Sequence, residues 1–517
     1  MQRKIFYNAK ILTQDKLNPQ ATAFAVENGR FISVGADEQI LLQQNENTIL
    51  INLNQQTVLP GFNDAHIHIW KVGNLLTCML DLRGVQSIEE MLDKINDYAH
   101  QHPELKWIQA RGFNEANFPD KKIPTKKDLD KIISDKPVCI IRTCAHQIVV
   151  NSKALELCAI SKSTVSPPGG EIKYLPDGDI AGHFTETAIG LVLSKIPKYS
   201  SGELRKMILA AQEQLIKSGI TSATDPAVEN DLLNVYKEMD HNGELKIRIN
   251  AIPIRIPDGT DKIYPNPEFY SSPHLTVNTV KFFADGGLSG KTAALINPYK
   301  NSNTKGVLRI KKELFKKLAA ESQEAGFRIA THAIGDAAIN MVLDVYNEIS
   351  SANLNRINHR IEHLGLPSAE NLKLMNKLNI SAVMQPVFIY ELGKNFIDYL
   401  PEEYLNQLYP CRNVLDAGIN LALSTDAPVV NDFSPQQNIL AATTRKINSG
   451  EMIAPSQKIE RNEALFAYTM GSAIANGAEK TSGSISTNKY ADFIVTTDLQ
   501  SDFKIQNTCM NGKQVFH

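Results

Sequence analysis

The feature that most constrains this 517-residue chain is an alternation of short apolar runs with longer amphipathic stretches through its middle. The runs are rich in Val, Ile and Ala, and segments with helical spacing, such as KKELFKKLAAESQEAG, lie between them. The runs are TVLPGFNDAHIH (57–68), GITSATDPA (219–227), KIRINAIPIR (246–255), VNTVKFFADGG (277–287), FRIATHAIGD (327–336), RIEHLG (360–365), ISAVMQPV (380–387) and INLALSTDAP (419–428). Alternating strands and helices predict an α/β fold with a parallel sheet. Eight such units fit a closed (β/α)8 barrel of the TIM type.

The two ends of the chain differ from the middle. Residues 1–58 hold short apolar runs separated by turns, and Asn28-Gly29 between two alternating runs predicts a β-hairpin. Residues 483–517 have the same character, and strands from both ends of a chain often meet in one β unit. We therefore predict a small β domain from residues 1–58 and 483–517, and a barrel domain over residues 59–482.

The spacing between the first and second runs is too long for a simple barrel, which needs only a helix at this point. The intervening stretch contains its own strand-like runs, WIQARGF and VCIIRTCAH, and a Pro-Pro-Gly-Gly turn at 167–170. We predict that residues 70–215 form an inserted subdomain that partly covers the mouth of the barrel.

Composition and charge restrict the partners. The net charge is −2, so the chain has no basic field for nucleic acid or an anionic membrane. No run approaches the ~18 consecutive apolar residues of a membrane-spanning helix, and the first residues lack the apolar core of a secretory signal. The six scattered cysteines form no C-x-x-C pair, which favours reduced thiols and a cytoplasmic location. A small molecule is therefore the expected partner.

Residues able to bind a metal ion fall at the predicted C-terminal ends of four strands, where barrels of this class build their active sites. They are His66, His68, His332, His363 and Asp426. Because His66 and His68 are two positions apart on a strand, their side chains point to one face. A single strand-end histidine is more often a hydrogen-bonded structural residue. Converging imidazoles and a carboxylate instead suit a divalent ion, with Zn²⁺ as the first choice.

Lys281 lies inside the otherwise apolar run VNTVKFFADGG, on the same strand face as Asp285. An unpaired buried ammonium is costly, so this lysine needs a partner, a depressed pKa or a modification. A carbamate formed with carbon dioxide would supply two oxygens able to bridge two metal ions. The alternatives are an ion pair between Lys281 and Asp285 or a direct contact between Lys281 and substrate.

Four further side chains are candidates for contact with the substrate, and a structural role is the alternative for each. They are Trp70, His146, Glu186 and Gln385. Glu186 is also an alternative metal ligand if Lys281 is not one. Arg142 and Asp336 are candidates for supporting or binding groups near the site.

Several motifs together resemble the amidohydrolase superfamily, and in particular the YtcJ-like branch that includes N-substituted formamide deformylases. The matching segments are PGFNDAHIHIW, MLDLRGVQS, WIQARGFNEANFP, CAHQIVVNSKAL, GEIKYLPDGDIAGHFTETA, VKFFADGG, THAIGD, RIEHLG and STDAPV. The resemblance also covers AVENGRFISVG near the start and KYADFIVTTDL near the end, so it extends over nearly the whole chain.

The resemblance implies a (β/α)8 barrel, a flanking β-sandwich built from both termini, and hydrolysis of C–N bonds other than peptide bonds. The five strand-end residues named above match the metal-ligand positions of the family. Lys281 matches the strand that carries the carbamylated lysine of the superfamily, and the site holds one ion or two.

The chemistry that follows is hydrolysis of an N-acyl or N-formyl amide. A bound divalent cation lowers the pKa of its water from ~15.7 to about 7. Asp426 would take the proton from this water and pass it to the leaving amine, while the metal or a nearby histidine such as His363 polarises the carbonyl. The alternatives are a deaminase or cyclic-amide hydrolase, and a non-catalytic regulatory protein that retains the barrel. Such barrels are commonly homodimers, although no sequence feature here demonstrates one.

Overall fold

The computed structural model describes residues 2–257, 260, 262–351, 357–497, 499 and 503–516. Two five-stranded sheets lie at its centre. In spatial order, the first contains Tyr270–Ser271, Leu275–Val277, Arg248–Pro253, Ile220–Val228 and Phe62–Asp64. The second contains Thr279–Phe283, Arg328–Ala333, Arg360–His363, Ser381–Met384 and Leu421–Leu423. All neighbouring strands are parallel except Tyr270–Ser271 against Leu275–Val277, so the predicted parallel α/β core is confirmed.

Helices such as Ser201–Lys217, Asn230–His241 and Lys312–Glu324 alternate with the strands of this core, and their buried apolar residues pack on it. The α-helices are Asp37–Leu41, Ile69–Thr77, Ile88–Gln101, Lys126–Asp130, Ser152–Leu157, Gly190–Leu193, Ser201–Lys217, Asn230–His241, Lys312–Glu324, Asp336–Ser351, Ala369–Leu378, Val387–Tyr399, Glu402–Leu405, Cys411–Asp416, Pro435–Thr444, Arg461–Phe466 and Ser472–Asn476. Helix Ser201–Lys217 begins with a capping box between Ser200 and Glu203, which satisfies backbone N–H groups of its first turn. Among the described helices, none combines the length and apolar character that a membrane crossing requires.

Both ends of the chain contribute to a pair of smaller sheets. One contains Arg30–Gly35, Ala23–Glu27, Lys4–Tyr7 and Ile49–Asn52. The other contains Lys513–Phe516, Ile505–Met510, Phe493–Thr496, Thr57–Pro60, Lys10–Leu12 and Gln20–Ala21. The predicted hairpin is confirmed, because Glu27 pairs with Arg30 and both Asn28 and Gly29 have positive φ. Apolar side chains from both sheets, including Phe24, Val58 and Phe493, pack in one cluster.

The residues between the first and second core strands in the sequence form a separate six-stranded sheet. Its strands, in spatial order, are Gly170–Tyr174, Ile180–Glu186, Gln147–Val150, Val138–Arg142, Ile108–Phe113 and Leu80–Asp81. Helix Ile69–Thr77 precedes this sheet and helix Ser201–Lys217 follows it, and these two helices pack closely. A Cβ on Gly73 would lie 1.8 Å from the carbonyl oxygen of Met207, so the contact requires glycine.

The structure departs from the sequence prediction in the run 57–68. This run forms two strands, since Thr57–Pro60 joins the terminal sheet and Phe62–Asp64 joins the core, with Gly61 between them. His66 and His68 therefore follow the first core strand instead of lying within it.

The core strands form two hydrogen-bonded sheets, where the sequence predicts a single closed one. Between the sheets, an isolated bridge links Ile254 to Lys281 on one side. On the other side, the backbone N–H of Ala65 donates to the carbonyl oxygen of Leu423 at 3.3 Å.

Candidate metal centre and active site

Three of the predicted metal-binding residues converge where the first and last core strands end. Nε2 of His66 and Nε2 of His68 each lie 3.4 Å from Oδ1 of Asp426. Among the described residues, these three form a group whose ligand atoms all lie within 4.8 Å of one another. The backbone fixes the arrangement, because the N–H of Asp426 donates to the carbonyl oxygen of His66 at 2.7 Å. Two imidazoles and a carboxylate so placed match the donor set of zinc-type ions.

His66 is held from behind by a buried ion pair. Its Nδ1 contacts the carboxylate of Glu362, and Arg360 binds that carboxylate through Nε at 2.5 Å and Nη2 at 3.0 Å. Arg360 also donates to the carbonyl oxygen of Ala65. Since Nδ1 of His66 is occupied in this way, Nε2 is the ring nitrogen directed at Asp426.

Asp225 lies on the side of the His68 ring opposite to Asp426. Its Oδ1 is 3.9 Å from Nδ1 of His68, and its Oδ2 accepts a hydrogen bond from Tyr236 at 2.5 Å. Burial raises the pKa of Asp225 to about 7. Burial also lowers the pKa of His68 to about 3, so its imidazole is neutral at pH 7 and suited to bind a metal ion.

Asp64 ties the ends of the first and last core strands together. It accepts hydrogen bonds from the backbone N–H of His66 at 3.1 Å, from the hydroxyl of Thr425 at 2.7 Å and from Tyr468 at 3.1 Å. Asp64 therefore fixes the backbone at His66 and at Thr425, the residue that precedes Asp426.

His363 and His332 extend the histidine cluster. The ring centroids of His66 and His363 are 4.9 Å apart, and those of His363 and His332 are 4.5 Å apart. Nδ1 of His363 lies 2.7 Å from Oε1 of Gln385, so Nε2 is the ring nitrogen available to bind a metal ion. Burial lowers the pKa of His363 to about 3. Nε2 of His332 lies 3.1 Å from the carbonyl oxygen of Gly286.

Lys281 is completely buried on strand Thr279–Phe283. Its Nζ has no hydrogen-bond partner in the part of the chain that the structure describes, and it lies 4.9 Å from the ring centroid of Phe283. Burial lowers its pKa to about 8. An ion pair with Asp285 is not observed between these two described residues, because that carboxylate accepts bonds from three backbone N–H groups.

A small cavity adjoins the histidine cluster under the inserted sheet. Its polar lining consists of Cys144, His146, Ser289, His332, His363 and Asp426. Its apolar lining includes Leu288, Ile334, Phe388, Leu392, Phe396, Tyr409 and Val429. The cavity therefore offers an apolar space with a few converging polar groups, as small-molecule sites do.

The predicted substrate-contacting residues occupy different positions around this cavity. His146 lines it, and Nδ1 of His146 lies 2.9 Å from Oε2 of the buried Glu186. Gln385 supports His363 as described. Trp70 packs instead against Tyr199, with ring centroids 6.1 Å apart, on the helix that precedes the inserted sheet.

The two candidates for supporting or binding groups make structural contacts. Arg142 forms a buried bidentate pair with Glu115 and also binds the carbonyl oxygen of Ser289. Asp336 accepts hydrogen bonds from the backbone of Ile296 and from the hydroxyl of Tyr404. Arg142 thereby connects the inserted sheet to the loop that lines the cavity.

Sequence reasoning missed the groups that hold the histidines from behind: Arg360, Glu362, Asp225 and Asp64. A signal for the first two was present, since Arg360 and Glu362 are charged residues two positions apart in a short run that the sequence predicts to be a core strand. That spacing places both side chains on one strand face.

The sequence model described as the amidohydrolase family matches residues 50–516. The chain belongs to the amidohydrolase family. The prediction of a metal-dependent hydrolase acting on C–N bonds is confirmed at the level of this family.

Several individual proteins resemble the chain over nearly its full length. YtcJ of Bacillus subtilis, an amidohydrolase by name, is 28% identical over 99% of this chain and 99% of its own. The N-substituted formamide deformylase of Arthrobacter pascens is 26% identical over 96% of this chain and 93% of its own. An uncharacterised metal-dependent hydrolase from Pyrococcus horikoshii matches in structure with a TM-score of 0.77 and 25% identity, over 96% of this chain and 98% of that one. The family and this structural match imply a TIM-type α/β fold.

Proposed function

We propose that this amidohydrolase-family protein cleaves the C–N bond of an N-acyl or N-formyl amide by metal-activated water and releases an amine. The observation that carries the proposal is the convergence of His66 and His68 on one carboxylate oxygen of Asp426. The N-substituted formamide deformylase, similar over 96% of the chain, supports the N-formyl class.

The residues present fit a divalent ion. Oδ1 of Asp426 is buried without a hydrogen-bond partner among the residues described, although the imidazoles of His66 and His68 face it. An unpartnered buried carboxylate oxygen is costly unless a cation neutralises it. In the proposal, the residues that would hold Zn²⁺ are His66, His68, His332, His363 and Asp426, and a carbamate on Lys281 would supply oxygen ligands for a second ion.

A divalent ion bound here would supply a hydroxide equivalent at neutral pH and polarise the substrate carbonyl. Asp426 takes up the proton of the attacking water and returns it to the nitrogen of the leaving amine. Because Oε1 of Gln385 accepts from Nδ1 of His363, Nε2 of His363 carries the lone pair, so His363 would act through the ion that it helps to hold and would in that way stabilise negative charge on the carbonyl oxygen. The apolar walls of the cavity exclude bulk water from these charges.

Substrate contacts in this proposal come from His146, Glu186, Gln385 and Trp70. His146 is the member of this set that lines the cavity, and its pairing with Glu186 fixes the ring so that Nε2 is free for the substrate. Trp70 would contact only a substrate that extends past helix Ile69–Thr77 toward Tyr199.

The finer features of the architecture belong to the same proposal. The two core sheets would together form the (β/α)8 barrel of residues 59–482, with residues 70–215 as an insertion. Residues 1–58 and 483–517 would form a β-sandwich domain. A cytoplasmic location fits the six free thiols, and a homodimer stays a prediction.

The decisive experiment combines metal analysis with a hydrolysis screen of N-formyl, N-acyl and cyclic amides. We expect the purified protein to retain a divalent metal and to release amine from at least one class. Asp426→Asn should lower kcat by about 10³-fold or more while the protein stays folded, because proton transfer is lost. The exposed Asp416→Asn serves as the matched control. Absence of metal after reconstitution, or full activity in the Asp426 variant, would contradict the proposal.

A further inference from the structure

Arg111 is a buried cation that the proposed chemistry does not use. It lies on strand Ile108–Phe113 of the inserted sheet and its side chain is 4% exposed. Its Nε and Nη2 are buried and have no hydrogen-bond partner within the described ranges of the chain. Burial lowers the pKa of Arg111 to about 10, so the guanidinium still carries its charge at pH 7. An unpaired buried charge of this kind is costly and calls for a ligand.

The position of Arg111 places it against the loop that follows Asp426. The neighbouring insert residue Arg83 donates to the carbonyl oxygen of Val430 at 3.0 Å, and Thr143 donates to that of Val429 at 2.8 Å. The backbone oxygen of Arg111 accepts from Leu82, next to Arg83. Arg111 thus lies between two residues that clamp the Asp426 loop to the inserted sheet.

Nearby carboxylates do not satisfy this guanidinium. Asp81, its neighbour on strand Leu80–Asp81, is already bound by Arg83 through Nε at 2.9 Å and Nη2 at 2.6 Å. Asp426 is the carboxylate whose charge most favours the protonated form of Arg111, and in the proposed function it binds the metal ion. Arg111 therefore remains a buried guanidinium without a hydrogen-bonded carboxylate among the described residues, and two groups whose charges act on it, Asp426 and Cys144, line the cavity.

We propose that Arg111 binds a carboxylate of the substrate, so that the natural substrate is an N-acyl or N-formyl compound bearing one anionic carboxylate, such as an N-acylated amino acid. The inference rests on the proposed amide hydrolysis. One such guanidinium balances one negative charge and matches a carboxylate through two parallel N–H donors. A phosphate dianion would need a second free cation, and Arg83 is already engaged.

The test compares two substrates that differ only by the carboxylate: N-formylphenylalanine and N-formylphenethylamine. Wild-type protein should prefer the acid. Arg111→Gln should lower kcat/KM for the acid by about 10- to 100-fold, the value of charge-assisted hydrogen bonds, and leave the neutral substrate nearly unchanged. Arg111→Lys should be intermediate because it keeps the charge without the planar fork. Arg205→Gln, at an exposed salt bridge, is the control.

A structural role predicts a different result. If Arg111 only supports the fold, Arg111→Gln lowers the melting temperature and impairs both substrates equally, which would overturn the inference. A preference of the wild type for N-formylphenethylamine would overturn it as well. We expect an unchanged or higher melting temperature, since the substitution removes a buried unpaired charge.

A binding measurement separates this inference from the proposed function. Calorimetry with metal-loaded protein would compare 3-phenylpropionate with 3-phenylpropanamide. Arginine-dependent binding of the acid without hydrolysis of any amide would leave the inference standing and defeat the proposed function. Hydrolysis of amides with acid binding that is equal in wild type and Arg111→Gln, or absent from both, would do the reverse.

Discussion

The carboxylate of Glu362 contacts Nδ1 of His66, while Nε2 on the other side of the same ring lies 3.4 Å from Asp426. Arg360 anchors Glu362 at two atoms, so the orientation of His66 depends on a pair of residues on strand Arg360–His363. The electron-rich carboxylate raises the basicity of the imidazole as well as fixing its direction.

Replacing this carboxylate should weaken metal binding. Glu362→Gln keeps the size of the side chain but removes its charge and one of its two accepting oxygens, and we expect metal affinity to fall by about 10- to 100-fold. Competition titration with a chelator measures this value, and the melting temperature reports any effect of leaving Arg360 unpaired. The exposed Glu313→Gln is the control. Equal affinity in wild type and variant would remove Glu362 from the account of the site.

Lys281 should take up carbon dioxide. With its pKa lowered to about 8, a large share of the amine is neutral and nucleophilic near pH 8, and that share declines at lower pH. Incubation with isotope-labelled bicarbonate should therefore label the protein more strongly as the pH rises from about 6.5 to about 8.5. Lys281→Arg should abolish the label. If the variant is labelled as strongly as wild type, the carbamate is not on this residue.

Asp225 should make the stability of the metal-free protein depend on pH. Its pKa is raised by burial from 3.8 to about 7, so the folded protein binds this proton more tightly than the unfolded chain does. The contribution of the protonated carboxyl is therefore complete below about pH 4 and is lost as pH rises through about 7.

The measurement is the melting temperature of wild type minus that of Asp225→Asn, in chelator, from about pH 5 to about pH 8. Asparagine keeps an acceptor for Tyr236 and cannot ionise, so the difference should fall steadily with rising pH. A difference that is flat, or that increases with pH, would show that Asp225 has no raised pKa.

The helix pair that flanks the inserted sheet should not tolerate a methyl group at Gly73. Gly73→Ala places Cβ 1.8 Å from the backbone oxygen of Met207, so the helices must separate, and we expect a loss of about 1–3 kcal/mol in unfolding free energy. Gly202→Ala in the same helix as Met207 meets nothing within 4 Å and should stabilise by about 0.5–1 kcal/mol. Chemical denaturation measures both, and opposite signs are the expected result.

Much of the core follows from local sequence pattern. The alternation of apolar runs and amphipathic stretches predicts the parallel strands, because each run is buried on both faces in such a sheet. The ends of those runs also contain His66, His68 and Asp426, which lie together in the structure, although both histidines follow the strand. Because the C-terminal ends of parallel strands meet at one edge of the sheet, the positions of these residues in the sequence suffice to predict that they lie close together.

Features that depend on contacts between residues far apart in the sequence could not be predicted from local pattern. The run 57–68 splits because Thr57–Pro60 pairs with Phe493–Thr496 far along the chain, and no local pattern shows that partner. A Cβ on Gly61 would lie 2.1 Å from Oγ1 of Thr221, so the break depends on a contact between separate elements. His66 and Glu362 are 296 residues apart, and periodicity carries no information about their contact.

The strand Thr57–Pro60 has a consequence for the order in which the molecule assembles on the ribosome. It hydrogen-bonds to Phe493–Thr496, and Gly61 alone separates it from the strand that leads into His66. Until residues 493–496 emerge from the exit tunnel, this strand lacks one neighbour and presents an open edge. A polypeptide that terminates before residue 493 would leave the same edge free to recruit other nascent chains.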